Sequence, residues 1–277
     1  MRGDTGKILG VIVCFIVLTG ILILSGCANN DSKKRTLKIA GSTTVQPIVS
    51  KVAEEYMEKN PDVFISVQGG GSGTGIRMVA EGSVDIGDAS REIKQSEYDK
   101  TPDLEPYAIA VDGIAVVVHP SNPLVDLTKE QIKKIFAGEI SNFKEFGGPD
   151  KEIVVVIRES GSGTRATFEE LVMDGKEPVS DALQKPSNGA VKATVSGNPN
   201  AIGYIGVGYI DNSVKALKID GVSPSRDTIK NGSYPIFRRL YLITKGDATG
   251  LTRDFIDFVL SDEGQKIVEE KGFVSVR

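Results

Sequence analysis

Tryptophan is absent from the 277 residues, histidine occurs once and cysteine twice. Cys14 lies in the apolar N-terminal run, which leaves one histidine (His119) and one cysteine (Cys27), too few for a His/Cys metal cluster. A Ser–His–Asp triad would have to use His119, which lies in an apolar run before Pro120, and no Gly-x-Ser-x-Gly elbow leads to it. Positive charge is not in excess either. The 33 Lys and Arg against 37 Asp and Glu give a net charge of −4, which argues against a nucleic-acid surface. Aspartate and glutamate are spread along the chain, their ordinary solvated pattern. No metal, no cofactor and no catalysis is expected.

Long apolar runs occur in only two places. The first is Ile8–Leu24, preceded by Arg2 and Lys7 and followed by Leu24-Ser25-Gly26-Cys27 and the polar stretch Asn29–Lys34. A basic start, an apolar middle and small residues at the cut form the layout of a secretory signal over residues 1–26. A retained anchor is the competing reading, because roughly 17 apolar residues sit at the lower edge of spanning length. The small pair before Cys27 resembles the lipobox of prokaryotic lipoproteins, which favours cleavage there and lipid on the Cys27 sulfur. Residues 27–35 then read as a lipid-anchored tether, and the rest of the chain lies outside the cytoplasmic membrane. Cys14 leaves with the signal, so no intramolecular disulfide forms. Loss of Arg2, Lys7 and Asp4 takes the net charge from −4 to −5.

What the sequence does contain is three Gly/Ser/Thr loops, each leading into a helix: Gly41-Ser42-Thr43-Thr44, Gly69–Gly75 and Ser160-Gly161-Ser162-Gly163-Thr164. A helix N-terminus with free N–H groups and small hydroxyls favours an anion. Arg158, just before the third loop, adds a planar cation suited to bidentate oxyanion contact. Ser90-Arg91 could add a hydroxyl and a second cation. Each feature also has a bland alternative: helix capping for Ser42 and Ser162, a flexible turn for the glycine run, a surface arginine for Arg91. The second loop is not a Walker motif, since Gly75 is followed by Ile76-Arg77 rather than Lys-Ser/Thr.

Strand, loop and helix alternate through Leu37–Ala40, Ile48–Met57, Val63–Val67, Ile76–Ala80 and Val84–Gly87, which predicts βα units and a largely parallel sheet. The second apolar run, Tyr107–His119, is broken by Asp112-Gly113 and predicts a buried strand that changes lobe there. Ile236–Thr244 predicts the return crossing. A capping box at Thr128–Gln131 opens a helix. The division expected is lobe 1 at 36–112 and 236–277, and lobe 2 at 113–235, with the ligand cleft between them.

Ala40–Pro47, the run Gly69–Ile76, Asp85-Ile86-Gly87 with Ser90-Arg91, and Arg158–Arg165 occur in this order and together resemble the PstS-type phosphate-binding lipoproteins of phosphate ABC importers. The resemblance implies an α/β, two-lobe periplasmic-binding-protein fold (type II) that closes on inorganic phosphate and delivers it to ABC permease subunits. Matched motif to motif, it implies binding by Thr43, Thr44, Ser72, Arg158, Ser162, Gly163 and Thr164; the loops themselves add Ser42, Ser90 and Arg91 as candidates, and a monomer is expected. Many members of that family place an Asp, which accepts a phosphate proton, where Ser90 stands here. Asp112, or in second place Asp88, is expected to supply that acceptor. The alternatives are a binding protein for another tetrahedral oxyanion, sulfate or molybdate, and a surface phosphohydrolase.

Overall fold

The computed structural model describes residues 34–277; the expected signal, Cys27 and all but the end of the tether lie outside the described residues. β1 (Arg35–Gly41) is followed by α1 (Gln46–Lys59), β2 (Val63–Gly69), α2 (Ser72–Ala80), β3 (Ile86–Ala89), the single turn α3 (Gln95–Tyr98) and β4 (Leu104–Val118). Next come β5 (Asp126–Leu127), α4 (Lys129–Phe136), β6 (Val154–Arg158), α5 (Gly163–Phe168), β7 (Leu183–Lys185), α6 (Asn188–Ser196) and β8 (Ala201–Gly206). The chain ends with β9 (Lys215–Ala216), β10 (Lys218–Ile219), α7 (Arg226–Lys230), β11 (Phe237–Lys245), α8 (Gly250–Leu260) and α9 (Asp262–Glu270). Among the described residues no helix is long and apolar enough to cross a membrane.

The main sheet runs β2-β1-β3-β11-β4-β8-β6-β7, with β9 beside β4. β1 pairs in parallel with β2 and β3, and β6 pairs in parallel with β7 and β8. The two crossing strands depart from the expected parallel pattern: β11 is antiparallel to β3 and β4, and β4 is antiparallel to β8. The 15-residue β4 pairs with β11 through Gly113 and with β8 from Ile114 onward. The apolar run therefore stays one continuous strand and changes partner at the Asp112-Gly113 break.

Helices cover both faces. α1 buries Ile48, Val49, Val52 and Tyr56 against Ile39, Ile86, Leu240 and Leu242, where α8 and α9 add Phe255, Val259 and Val268. α2 packs Ile76 and Val79 on the opposite face, against Ala89, Tyr241 and Ile243. The other half has its own core: Phe136 and Phe168 surround Tyr204, whose ring stacks on Phe168 at 4.1 Å. The Thr128 capping box opens α4, its hydroxyl accepting from the Gln131 amide. The result is a two-lobe α/β fold in which β1, β2 and β6 each end in a glycine-rich loop. Carboxyl ends of strands meeting at a cleft are the usual ligand position in open α/β sheets.

Candidate anion site between the lobes

Loop one leaves β1 at Gly41. The Ser42 hydroxyl accepts from the Thr44 amide (3.1 Å) and donates to Ser90 Oγ (2.9 Å). The Ser90 amide donates to Ser72 Oγ at 3.0 Å, and the two hydroxyls lie 3.3 Å apart. Ser42, Ser72 and Ser90 come from three different strand ends, yet they form one buried chain of hydroxyls. Neither α1 nor α2 has a side-chain cap; Gly71 occupies the N-cap of α2 at φ 89°, a conformation that favours glycine. The first-turn N–H groups of these two helices are thus not taken up by a capping side chain.

Loop three approaches from the other lobe. Ser162 does cap α5, its hydroxyl accepting from the Arg165 amide at 3.3 Å, so the capping alternative holds for that residue. Gly163 sits directly on the hydroxyl chain: a Cβ at this position would lie 2.3 Å from Ser72 Oγ and 2.6 Å from Ser90 Oγ. Only a glycine allows so close an approach. Nearby, the Gly73 amide donates to the Gly161 carbonyl at 3.0 Å, and the Thr44 and Thr164 hydroxyls are 3.2 Å apart.

Two buried arginines meet this cluster. Arg158, ending β6, donates from Nη2 to Pro186 O (2.9 Å) and to Thr43 Oγ1 (3.3 Å). Arg238, near the start of β11, donates from Nε and Nη2 to Asp112 Oδ2 at 3.2 and 2.9 Å. The same Nη2 reaches Thr164 Oγ1 at 3.0 Å and Thr44 Oγ1 at 3.2 Å. Its remaining nitrogen, Nη1, is buried and has no hydrogen-bond partner. Burial and then the nearby Arg238 charge pull the Arg158 pKa down to about 10, which leaves it cationic at neutral pH. Burial likewise lowers Arg238, against the opposing pull of Asp112.

Asp112 is buried beside Arg238, and its Oδ1 accepts from the Val207 amide at 3.1 Å. Burial pushes its pKa up and Arg238 opposes the rise. Asp88 is different: its carboxyl is fully enclosed, neither oxygen has a partner, and burial holds its pKa well above the ordinary range. Arg91 is not brought into the cluster. Its guanidinium makes two bonds to Glu97, at 2.8 and 2.7 Å, and one to the Glu92 carbonyl.

Arg238 is the principal site residue that the sequence reading missed. Its contacts depend on the antiparallel register of β4 and β11, which sets Arg238 opposite Asp112. The available signal was a pair of arginines inside an otherwise apolar crossing strand. Asn188 and Tyr209 were missed for a similar reason. Asn188 Nδ2 donates to Thr44 Oγ1 at 2.8 Å, and the Tyr209 hydroxyl donates to the Thr43 carbonyl. Among the described residues no group of three or more His, Cys, Asp or Glu could hold a metal ion.

A cleft between two α/β lobes, lined with hydroxyls and two arginines, defines an oxyanion-binding protein of the periplasmic-binding-protein class. A PBP superfamily domain model matches residues 28–263. The phosphate-binding protein PstS of Bacillus subtilis is 38% identical over 282 residues, covering 96% of this chain and 94% of its own. Its namesake in Borreliella burgdorferi is 31% identical, covering 96% and 98%. A Clostridium perfringens structure described as a phosphate ABC transporter substrate-binding protein with bound phosphate aligns with TM-score 0.84 and 42% identity, covering 88% of this chain and all of that one. A Vibrio cholerae ABC-type phosphate transport receptor aligns with TM-score 0.72 and 36% identity, covering 86% and 99%. The chain belongs to the PstS family of phosphate-binding proteins within the PBP superfamily.

Proposed function

We propose that this chain is a lipid-anchored extracytoplasmic receptor that binds inorganic phosphate and hands it to the permease of an ABC importer. The observation that carries this reading is the unpartnered, buried Nη1 of Arg238 beside a second buried guanidinium, Arg158. Two cations that repel each other in a poorly solvated cleft are stabilised by an anion between them, and charge-assisted bonds to its oxygens are about twice as strong as neutral ones. The hydroxyls of Ser42, Thr43, Thr44, Ser72, Ser90 and Thr164 and the N–H groups of Gly163 and Thr164 complete the donor shell. Arg91 lies outside that shell, occupied by Glu97. The names of the relatives support phosphate as the anion.

In this reading lobe 1 comprises 36–112 and 236–277, and lobe 2 comprises 113–235, with the partner change of β4 at the hinge. Closure brings half the donors from each lobe, so ligand binding and closure are thermodynamically coupled. The signal at 1–26 directs export, lipid on Cys27 holds the receptor at the membrane, and the receptor acts as a monomer.

Phosphate is told from sulfate by a carboxylate that accepts its proton, because sulfate has none to offer. Asp112 takes this role: a carboxylate offers about four acceptor positions, and its donors Arg238 and Val207 make three bonds to it. Asp88 is the second candidate. Equilibrium dialysis with labelled phosphate, competed by sulfate, molybdate and arsenate, tests the function. Displacement by sulfate or molybdate as effective as by unlabelled phosphate refutes phosphate specificity. In the same assay Asp112→Asn should admit sulfate; unchanged sulfate rejection together with unchanged phosphate affinity moves the role to Asp88.

A further inference from the structure

The cleft holds a set of bonds between the lobes that need no anion. Asn188, fully buried at the start of α6, is oriented by the Gly206 amide, which donates to its Oδ1 at 3.2 Å. Thus held, its Nδ2 donates across the cleft to the hydroxyls of Thr44 (2.8 Å) and Thr43 (3.4 Å). Three residues beyond Gly206, Tyr209 donates its hydroxyl to the Thr43 carbonyl. Burial raises the Tyr209 phenol to about 12, so it stays a donor at any physiological pH. Between these two contacts the Val207 amide donates to Asp112 on β4, next to the point where that strand changes partner. The short segment Gly206–Tyr209 therefore ties the hinge, the α6 N-terminus and loop one together.

We propose that Asn188 and Tyr209 form a latch that holds loop one against lobe 2 and sets how much of the receptor is closed before phosphate arrives. They are positioning residues, acting on affinity through the closed fraction: the apparent Kd is the intrinsic Kd divided by the population able to bind. The inference rests on the phosphate-receptor reading for its effect on affinity, but not for its effect on closure.

The Gly73 amide is a built-in reporter, because its hydrogen bond is to Gly161 of the opposite lobe. In the full-length chain without phosphate, Tyr209→Phe should raise Gly73 amide exchange, read by NMR, about twofold to tenfold, the worth of one net hydrogen bond. With the ligand-free receptor mostly closed, exchange takes nearly the whole factor and the phosphate Kd rises only as far as the closed fraction falls; saturating phosphate should restore wild-type protection. Asn188→Ala should do the same and covers the case in which the tyrosine variant folds poorly. Unchanged Gly73 exchange in both folded variants overturns the latch, whatever their affinity. Faster exchange that saturating phosphate does not reverse also overturns it. A wild-type chain that binds no phosphate defeats the receptor reading instead, while the ligand-free exchange rates still decide the latch.

Discussion

Replacing Arg238 by Met removes the guanidinium and leaves its stem. Arg238 is 7% exposed and Asp112 1%, and two nitrogens of the arginine hold one carboxylate oxygen. Loss of one partner from such a pair strands a buried charge, at a cost of about 3–5 kcal/mol in folding stability. Asp112→Leu alone strands the arginine at a comparable cost. In the double variant neither charge is left, and replacing a whole buried pair by apolar residues is often neutral or stabilising by about 1–4 kcal/mol. Urea unfolding of the four proteins should therefore give a coupling energy of at least about 3 kcal/mol. Phosphate affinity should behave differently. It should fall by at least about 30-fold, or 2 kcal/mol, in Arg238→Met and stay lost in the double variant, because the cation is gone in both. The pH dependence has a defined sign. In Arg238→Met only the Val207 amide still counters burial at Asp112, so its folded pKa rises further above the ordinary 3.8. A carboxyl with a raised folded pKa contributes stability below the unfolded value that is lost as pH rises through the folded one. The deficit of Arg238→Met should accordingly be larger at pH 8 than at pH 4. Additive losses, or a double variant that binds phosphate as well as wild type, refute the pairing and the binding role respectively.

Arg158→Ala should weaken phosphate binding by about 2–5 kcal/mol; a calorimetric loss below about 1 kcal/mol places Arg158 outside the anion shell. Gly163→Ala should lower the melting temperature, since overpacking a buried contact costs about 1–3 kcal/mol and the residue opens α5 rather than lying in its interior. The added Cβ, 2.3 Å from Ser72 Oγ, should also raise the phosphate Kd at least about tenfold by holding the lobes apart; wild-type affinity contradicts the close approach. Asp88→Asn should flatten the fall of stability above the ordinary carboxylate range, since the wild-type group sits well above 3.8. It should melt about 2–4 °C above wild type at pH 8 for each ~1 kcal/mol recovered, with little gain at pH 4. An equal shift at both pH values rules out a titrating Asp88.

The three loops were legible because the signal is local: small residues after an apolar strand and before a helical period. Ser42, Ser72, Ser90, Gly163 and Thr164 accordingly meet, although up to 122 positions separate them in the sequence. The partner change of β4 was legible for a related reason, since Asp112-Gly113 interrupts an apolar run. What stayed hidden depends on register and on neighbours distant in sequence. Arg238 meets Asp112, 126 positions away, only through the β4–β11 pairing. Arg91 looked available beside Ser90, yet Glu97, six positions on, takes its guanidinium. Asn188 lies in a short polar stretch whose helix, α6, has too weak an apolar period to stand out. The parallel pattern of the early βα units likewise gave no hint that the crossing strands would run antiparallel.

The most direct test of phosphate reception by paired arginines is a calorimetric titration of the wild-type protein at neutral pH with phosphate and, separately, with sulfate. One saturable phosphate site and no sulfate heat are predicted. No phosphate binding, or sulfate binding of equal strength, contradicts the account.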